Sequence, residues 1–227
     1  YEFFRRMGPL ANANAQYLDG KIAFWNEMMA HPNRDAWWLA RDPLPRYRDI
    51  KPAVLVVGGW FDAEDLWGAL HTYGAMNAQT AQNDVHLVMG PWFHGGWHRS
   101  DGDQLGDISF GQKTSETYRT AIETPFFESR LKGAKTSTTP EAFVFVTGND
   151  EWRSFTTWPP REATPTAIYL APNDTLTARR PTAATAFDSY VADPKKPVPY
   201  QEGSGPMVHD YMTADRRFAA HRPDALA

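Results

Sequence analysis

Two apolar runs constrain this chain more than any other feature. Residues 53–57 (AVLVV) follow Pro52 and end on Gly58 and Gly59, while residues 85–89 (VHLVM) end on Gly90 and Pro91. A short run that is apolar at all or nearly all positions, bounded by turn residues, reads as a strand buried on both faces. Between the two runs, residues 64–79 repeat Leu66, Ala69, Leu70, Tyr73 and Met76 at helical spacing. Strand, helix and strand in such close succession predict a βαβ unit and a parallel sheet, so the fold class is α/β.

The flanking sequence has other textures. Residues 1–45 read as helical. In AQYLDGKIAFWNEMMAH the apolar residues Tyr17, Leu18, Ile22, Phe24, Trp25, Met28 and Met29 recur near helical spacing, with a break at Pro32 and Asn33. Residues 35–40 read as a second short helix, halted by the prolines of DPLPRY. Residues 114–131 are helical again, interrupted at Pro125. From about residue 140 onward, FVFVTG, EWRSFTTW and TAIYLAP are short β-rich runs between Pro, Gly and Asn signals. They predict an antiparallel sandwich or jelly roll, with a boundary near residue 137.

Composition removes several functional classes. The net charge is −4 with both signs interspersed, so no basic stripe marks a nucleic-acid partner. No apolar run approaches the ~18 residues of a membrane-spanning helix. The chain has no cysteine, which excludes disulfides, thiolate metal sites and a cysteine nucleophile. No glycine loop has a phosphate-binding register, since Gly58 and Gly59 run straight into Trp60. Nothing in the pattern calls for a cofactor. The compartment is left open, because YEFFRRMG lacks the apolar core of a signal peptide and both ends read as cut.

The chemistry gathers just past the two strands. Asp62 comes after the first, at the carboxyl edge where open α/β sheets place ligands. It is equally a helix N-cap, with Asp65 placed as a capping-box partner and Glu64 suited to the positive end of the helix dipole. The two roles are compatible. His94 comes after the second strand, in the loop GPWFHGGW. It reads either as a satisfied loop histidine or as a general base oriented by a carboxylate. His94 and His98 also form an HxxxH pair with Asp101 and Asp103 behind it, a spacing that would suit zinc on a helix. The two glycines inside the pair argue against a helix there, and no metal is expected.

A triad of this kind needs a nucleophile. In the α/β-hydrolase order, serine on a strand-to-helix elbow comes first, then aspartate, then histidine. The first serine here is Ser100, after both Asp62 and His94, and no serine in the chain sits in such an elbow. The expectation is a nucleophile encoded upstream of Tyr1.

Taken together, HPNRDAWW (31–38), KPAVLVVGGWFDAEDLWG (51–68), HLVMGPWFHGGW (86–97), TPFFESRLKG (124–133), FVFVTGNDEWRSFTTWPP (143–160) and MTADRRFAAHRPDALA (212–227) carry a resemblance. The chain resembles the X-prolyl dipeptidyl-peptidase and cocaine esterase family of α/β-hydrolases. Within it, the α-amino acid ester hydrolases and glutaryl-cephalosporin acylases are nearest. The resemblance implies that residues 1–48 end a helical cap, 49–137 form the C-terminal part of the hydrolase domain, and 138–227 begin a jelly roll. It implies Asp62 as triad acid, His94 as triad base, and Glu64 and Asp65 as part of a carboxylate cluster for a substrate α-ammonium. The implied partner is a small-molecule ester or amide, and a homo-oligomer is compatible with this. An alternative from another class is a non-catalytic binding protein, with the jelly roll as its working part and the hydrolase portion as scaffold.

Overall fold

The structure is a computed structural model. It describes all residues except 1, 81–83, 136–137, 173–174, 183–184, 186, 188, 200–211, 216, 223 and 225–227. The chain divides into two compact units, Tyr1–Arg48 and Asp49–Ala227. Among the described residues no helix is long and apolar enough to cross a membrane.

The first unit is helical: α1 (Glu2–Met7), a π-turn (Asn14–Leu18), α2 (Ala23–Ala30), α3 (Ala36–Leu39) and a 3₁₀ turn (Leu44–Arg46). The helix expected through residues 15–31 is broken. Asp19 and Gly20 both take left-handed backbone (φ 51° and 67°), which closes the π-turn and restarts the chain at α2. α3 begins where its cap dictates, since the Asp35 carboxylate accepts the N–H groups of Trp37 and Trp38.

The second unit is built on a mixed four-stranded sheet in the order β1 (Val54–Gly59), β2 (Val85–Gly90), β5 (Ala142–Val146), β6 (Glu151–Phe155). β1 (Val54–Gly59) and β2 (Val85–Gly90) pair in parallel, joined by α4 (Leu66–Gln79). α4 turns Ala69, Tyr73 and Met76 inward. β2 is buried along its whole length, as its apolar run requires, whereas β1 is half-buried over Val54–Val57 because β2 is its only strand neighbour among the described residues.

Beyond β2 come α5 (Gly96–Arg99), a small ladder of β3 (Gln104–Leu105) with β4 (Ile108–Ser109), and α6 (Thr114–Tyr118). A π-turn (Arg119–Glu123) leads into α7 (Thr124–Lys132) without a break. The interruption expected at Pro125 is a change of pitch rather than a break: the π-turn ends just before it, and Pro125 stands in the first turn of α7.

β5 (Ala142–Val146) corrects another expectation. The FVFV run does not open a separate antiparallel domain. It pairs in parallel with β2 through Leu87–Ala142, Val88–Phe143 and Met89–Val144. β6 (Glu151–Phe155) then turns back antiparallel on β5. The run is buried on both faces because it is an interior strand of the same sheet. Past Phe155, the strands among the described residues are β7 (Tyr169–Ala171) and β8 (Thr175–Thr177), paired with each other. A full jelly roll is not formed among them.

Candidate active site

β1 and β2 end in register at Gly59 and Gly90, so the loops after them leave the sheet side by side. Backbone bonds continue the pairing past the strand ends. The Trp60 N–H donates to the Gly90 carbonyl at 2.8 Å, and the Phe61 N–H to the Trp92 carbonyl at 3.1 Å. This extension carries Asp62 and His94 to the same place.

Asp62 is 4% exposed and both of its carboxylate oxygens are engaged. Oδ1 accepts the N–H groups of Glu64 (2.8 Å) and Asp65 (3.0 Å). Oδ2 accepts from His94 Nδ1 at 3.0 Å. One carboxylate is thus both cap and partner of the imidazole, as the compatible readings of the sequence allow. The capping box is only half made. The Asp62 N–H goes to the Gly59 carbonyl at 3.2 Å rather than to the Asp65 side chain. α4 itself starts at Leu66, because Asp65 before it has non-helical backbone (φ −144°, ψ 32°).

His94 therefore carries its proton on Nδ1, facing a carboxylate that can only accept. Its other nitrogen, Nε2, is left toward the open side of a side chain that is 42% exposed. Among the described residues, the charged neighbour of Nε2 is Glu64, whose Oε2 lies 3.8 Å away on a side chain that is 72% exposed. Asp65 is exposed and folds over the first turn of α4, close enough to Gly68 that a Cβ there would meet its Oδ1 at 1.8 Å. The sheet edge thus brings together Asp62, His94 and Glu64, with Asp65 one residue further on.

The HxxxH pair does not come together. His94 faces Asp62, while His98 on α5 turns to Glu123 Oε1 at 2.9 Å, and Gly95 between them has φ 74°. Asp101 pairs with Lys113 Nζ at 3.0 Å. No group of three or more metal-ligating side chains occurs among the described residues. The first three serines of the chain are engaged elsewhere: Ser100 and Ser115 both donate to the Gly96 carbonyl, and Ser109 Oγ accepts the Gly111 N–H.

Supporting residues went unnoticed in the sequence. Trp92 is 1% exposed, donates its indole N–H to Thr114 Oγ1 at 2.8 Å, and packs on Trp97, Tyr118 and Trp152. Trp60 reaches over the end of β2 to give its indole N–H to the Phe145 carbonyl of β5 at 2.8 Å. The available signal was a tryptophan close behind a glycine at the end of each strand.

Residues 1–96 match the X-Pro dipeptidyl-peptidase (S15 family). Cocaine esterase from Rhodococcus sp. (strain MB1 Bresler) is 28% identical over 232 aligned positions, which cover 96% of this chain and 39% of that protein. Among solved structures, an aminopeptidase from a marine sediment Thaumarchaeota archaeon superposes with a TM-score of 0.84 at 31% identity, covering 99% of this chain and 38% of the other. An α-amino acid ester hydrolase superposes with a TM-score of 0.77 at 32% identity, covering 99% of this chain and 39% of the other. The chain spans about two fifths of the length of each of these relatives.

Proposed function

Because its family is that of the X-Pro dipeptidyl-peptidases (S15) and cocaine esterase, we propose that this chain supplies the acid and base of a serine hydrolase cleaving esters or amides through an acyl-enzyme. The observation that carries the reading is the Asp62 Oδ2···His94 Nδ1 bond of 3.0 Å at the carboxyl edge of two adjacent parallel strands, with Nε2 left open. His94 Nε2 takes the serine proton as the hydroxyl attacks the carbonyl carbon, then gives it to the departing alkoxide or amine. Water attack on the acyl-enzyme reverses the roles and releases the acid. Asp62 holds the tautomer and stabilises the imidazolium formed in each step.

The serine lies in sequence outside these 227 residues, a reading supported by the absence of any serine before Asp62 and by the two-fifths coverage of the relatives. On the same reading, residues 1–48 end a cap, the open flank of β1 receives further strands, and the segment past Phe155 begins a C-terminal β domain.

The test is turnover by the complete protein. His94→Ala should lower kcat by about 10⁴-fold or more while the melting curve is kept. Retained turnover removes His94 from the role.

Substrate class is argued from Glu64 and Asp65. The exposed Glu64 carboxylate 3.8 Å from the reacting nitrogen, with Asp65 next to it in the chain, suits an acyl group bearing a protonated α-amine, held by charge-assisted hydrogen bonds. The α-amino acid ester hydrolase among the structural relatives supports this choice. Glu64→Gln should reduce kcat/KM on phenylglycine methyl ester by about tenfold or more and leave phenylacetate methyl ester nearly unchanged. Equal losses on the two esters would reduce Glu64 to a helix-terminal charge.

A further inference from the structure

We propose that Gly59 is the spacer that fixes the Asp62–His94 separation, a positioning role that rests on the hydrolase reading above. Gly59 closes β1 opposite Gly90. A Cβ added to it would sit 2.1 Å from the carbonyl oxygen of Trp92 and 2.8 Å from the carbonyl carbon. Both are backbone atoms, so no rotamer change relieves the overlap. That carbonyl is also the acceptor for the Phe61 N–H.

Only one side of this contact can yield. Trp92 is locked by its buried indole, by the bond to Thr114, and by three aromatic neighbours with ring centroids 5.5 to 6.0 Å away. His94, two residues on, is held with it. The Gly59 side leads directly to Asp62, whose N–H sits on the Gly59 carbonyl. Restoring ordinary contact distance means moving the Gly59 backbone by about 1 Å, since close-packed interiors leave no slack. Asp62 moves with it. A hydrogen bond of 3.0 Å lengthened by that amount passes the limit of a hydrogen bond. The strand's other glycine lacks this consequence: a Cβ on Gly58 meets the side chains of Ala69 and Met89. Gly74, within α4, has nothing within 4 Å and supplies the control.

The experiment reads the bond itself. In the complete protein labelled with ¹⁵N-histidine, the His94 Nδ1–H held by a carboxylate gives a deshielded proton resonance, assigned by its loss in His94→Ala. Gly59→Ala should keep its circular dichroism spectrum and lose the resonance, while Gly74→Ala keeps both. In the complete protein, Gly59→Ala should cost about 10²-fold in kcat with KM nearly constant, the usual penalty for a 1 Å misplacement. A folded Gly59→Ala that retains the resonance overturns the proposal. Should Gly59→Ala fail to fold, Thr114→Val decides: releasing the Trp92 indole should speed exchange of the His94 proton with solvent by about tenfold or more, and unchanged exchange overturns the spacer role. The two readings fail separately. Full turnover by His94→Ala removes the hydrolase role and leaves the resonance result standing.

Discussion

At the amino end of β2, His86 lies beside Asp84; past its carboxyl end, His94 lies beside Asp62. The residue types and distances are alike: His86 Nε2 is 2.8 Å from Asp84 Oδ1, and His94 Nδ1 is 3.0 Å from Asp62 Oδ2. The surroundings differ. His86 is 8% exposed, and its second nitrogen is taken up by the Pro140 carbonyl at 2.8 Å. Asp84 is further tied to Arg130 on α7 through both of its oxygens. The polar atoms of that cluster are spent on joining β2, α7 and the segment entering β5. His94 instead keeps Nε2 open and nearly half its side chain exposed. A histidine–aspartate pair is therefore not in itself a catalytic signature. What makes a base is the second ring nitrogen left without a protein hydrogen-bond partner and turned toward space a substrate can occupy.

The sharpest way to break this comparison is to neutralise each aspartate in turn. Asp62→Asn leaves an acceptor oxygen for the cap but offers an N–H to His94, which favours the wrong tautomer. In the complete protein kcat should fall by about 10⁴-fold. Asp84→Asn should change kcat by less than about threefold, because nothing at that edge faces the reacting nitrogen. Comparable losses from the two variants would place chemistry at both edges. Stability should rank the other way. His86→Ala removes a buried ring and strands the Pro140 carbonyl, at a cost of about 1–3 kcal/mol in urea unfolding. His94→Ala should cost less than about 1 kcal/mol, since water can reach Asp62 Oδ2 in its place while Oδ1 keeps both N–H partners.

Both pairs are present in the sequence, yet only one is legible there. His94 and Asp62 stand out because each lies just past an apolar run, and parallel strands deliver the loops at their carboxyl ends to one edge. Asp84 and His86 lie at the start of the second run, where a polar residue is hidden among apolar ones, and their partners Arg130 and Pro140 are some fifty residues away. The same limit hid the place of β5. A five-residue apolar run reads alike in a parallel sheet and in a sandwich, and its tight turn into β6 favoured the hairpin reading. Its pairing with β2 spans an insertion of helices that carries no mark of the register. The break at Asp19 and Gly20 was different, since the signal was printed there and the apolar spacing on either side outweighed it.

The smallest expected effect bears on the structural pair alone. The Arg130 guanidinium, and after it His86, hold the Asp84 carboxyl down to about 2, against burial that works the other way. An aspartate in an unfolded chain titrates near ~3.9. The sign comes from proton counting. Between these values the unfolded chain binds the proton more readily, so acid favours unfolding. The stabilisation is fully present above about pH 4 and drains away as the pH falls toward 2. Because the Asp84 side chain is 40% exposed, solvent screening limits the contribution to about 1 kcal/mol or less. Arg130→Gln removes the leading cause while keeping a hydrogen-bond donor. Its urea-unfolding free energy, measured from pH 5 to pH 2, should decline less steeply than that of the parent chain. Parallel declines would show that the Arg130–Asp84 bridge does not distinguish the folded from the unfolded state, and the contrast between the two edges would then rest on His86 alone.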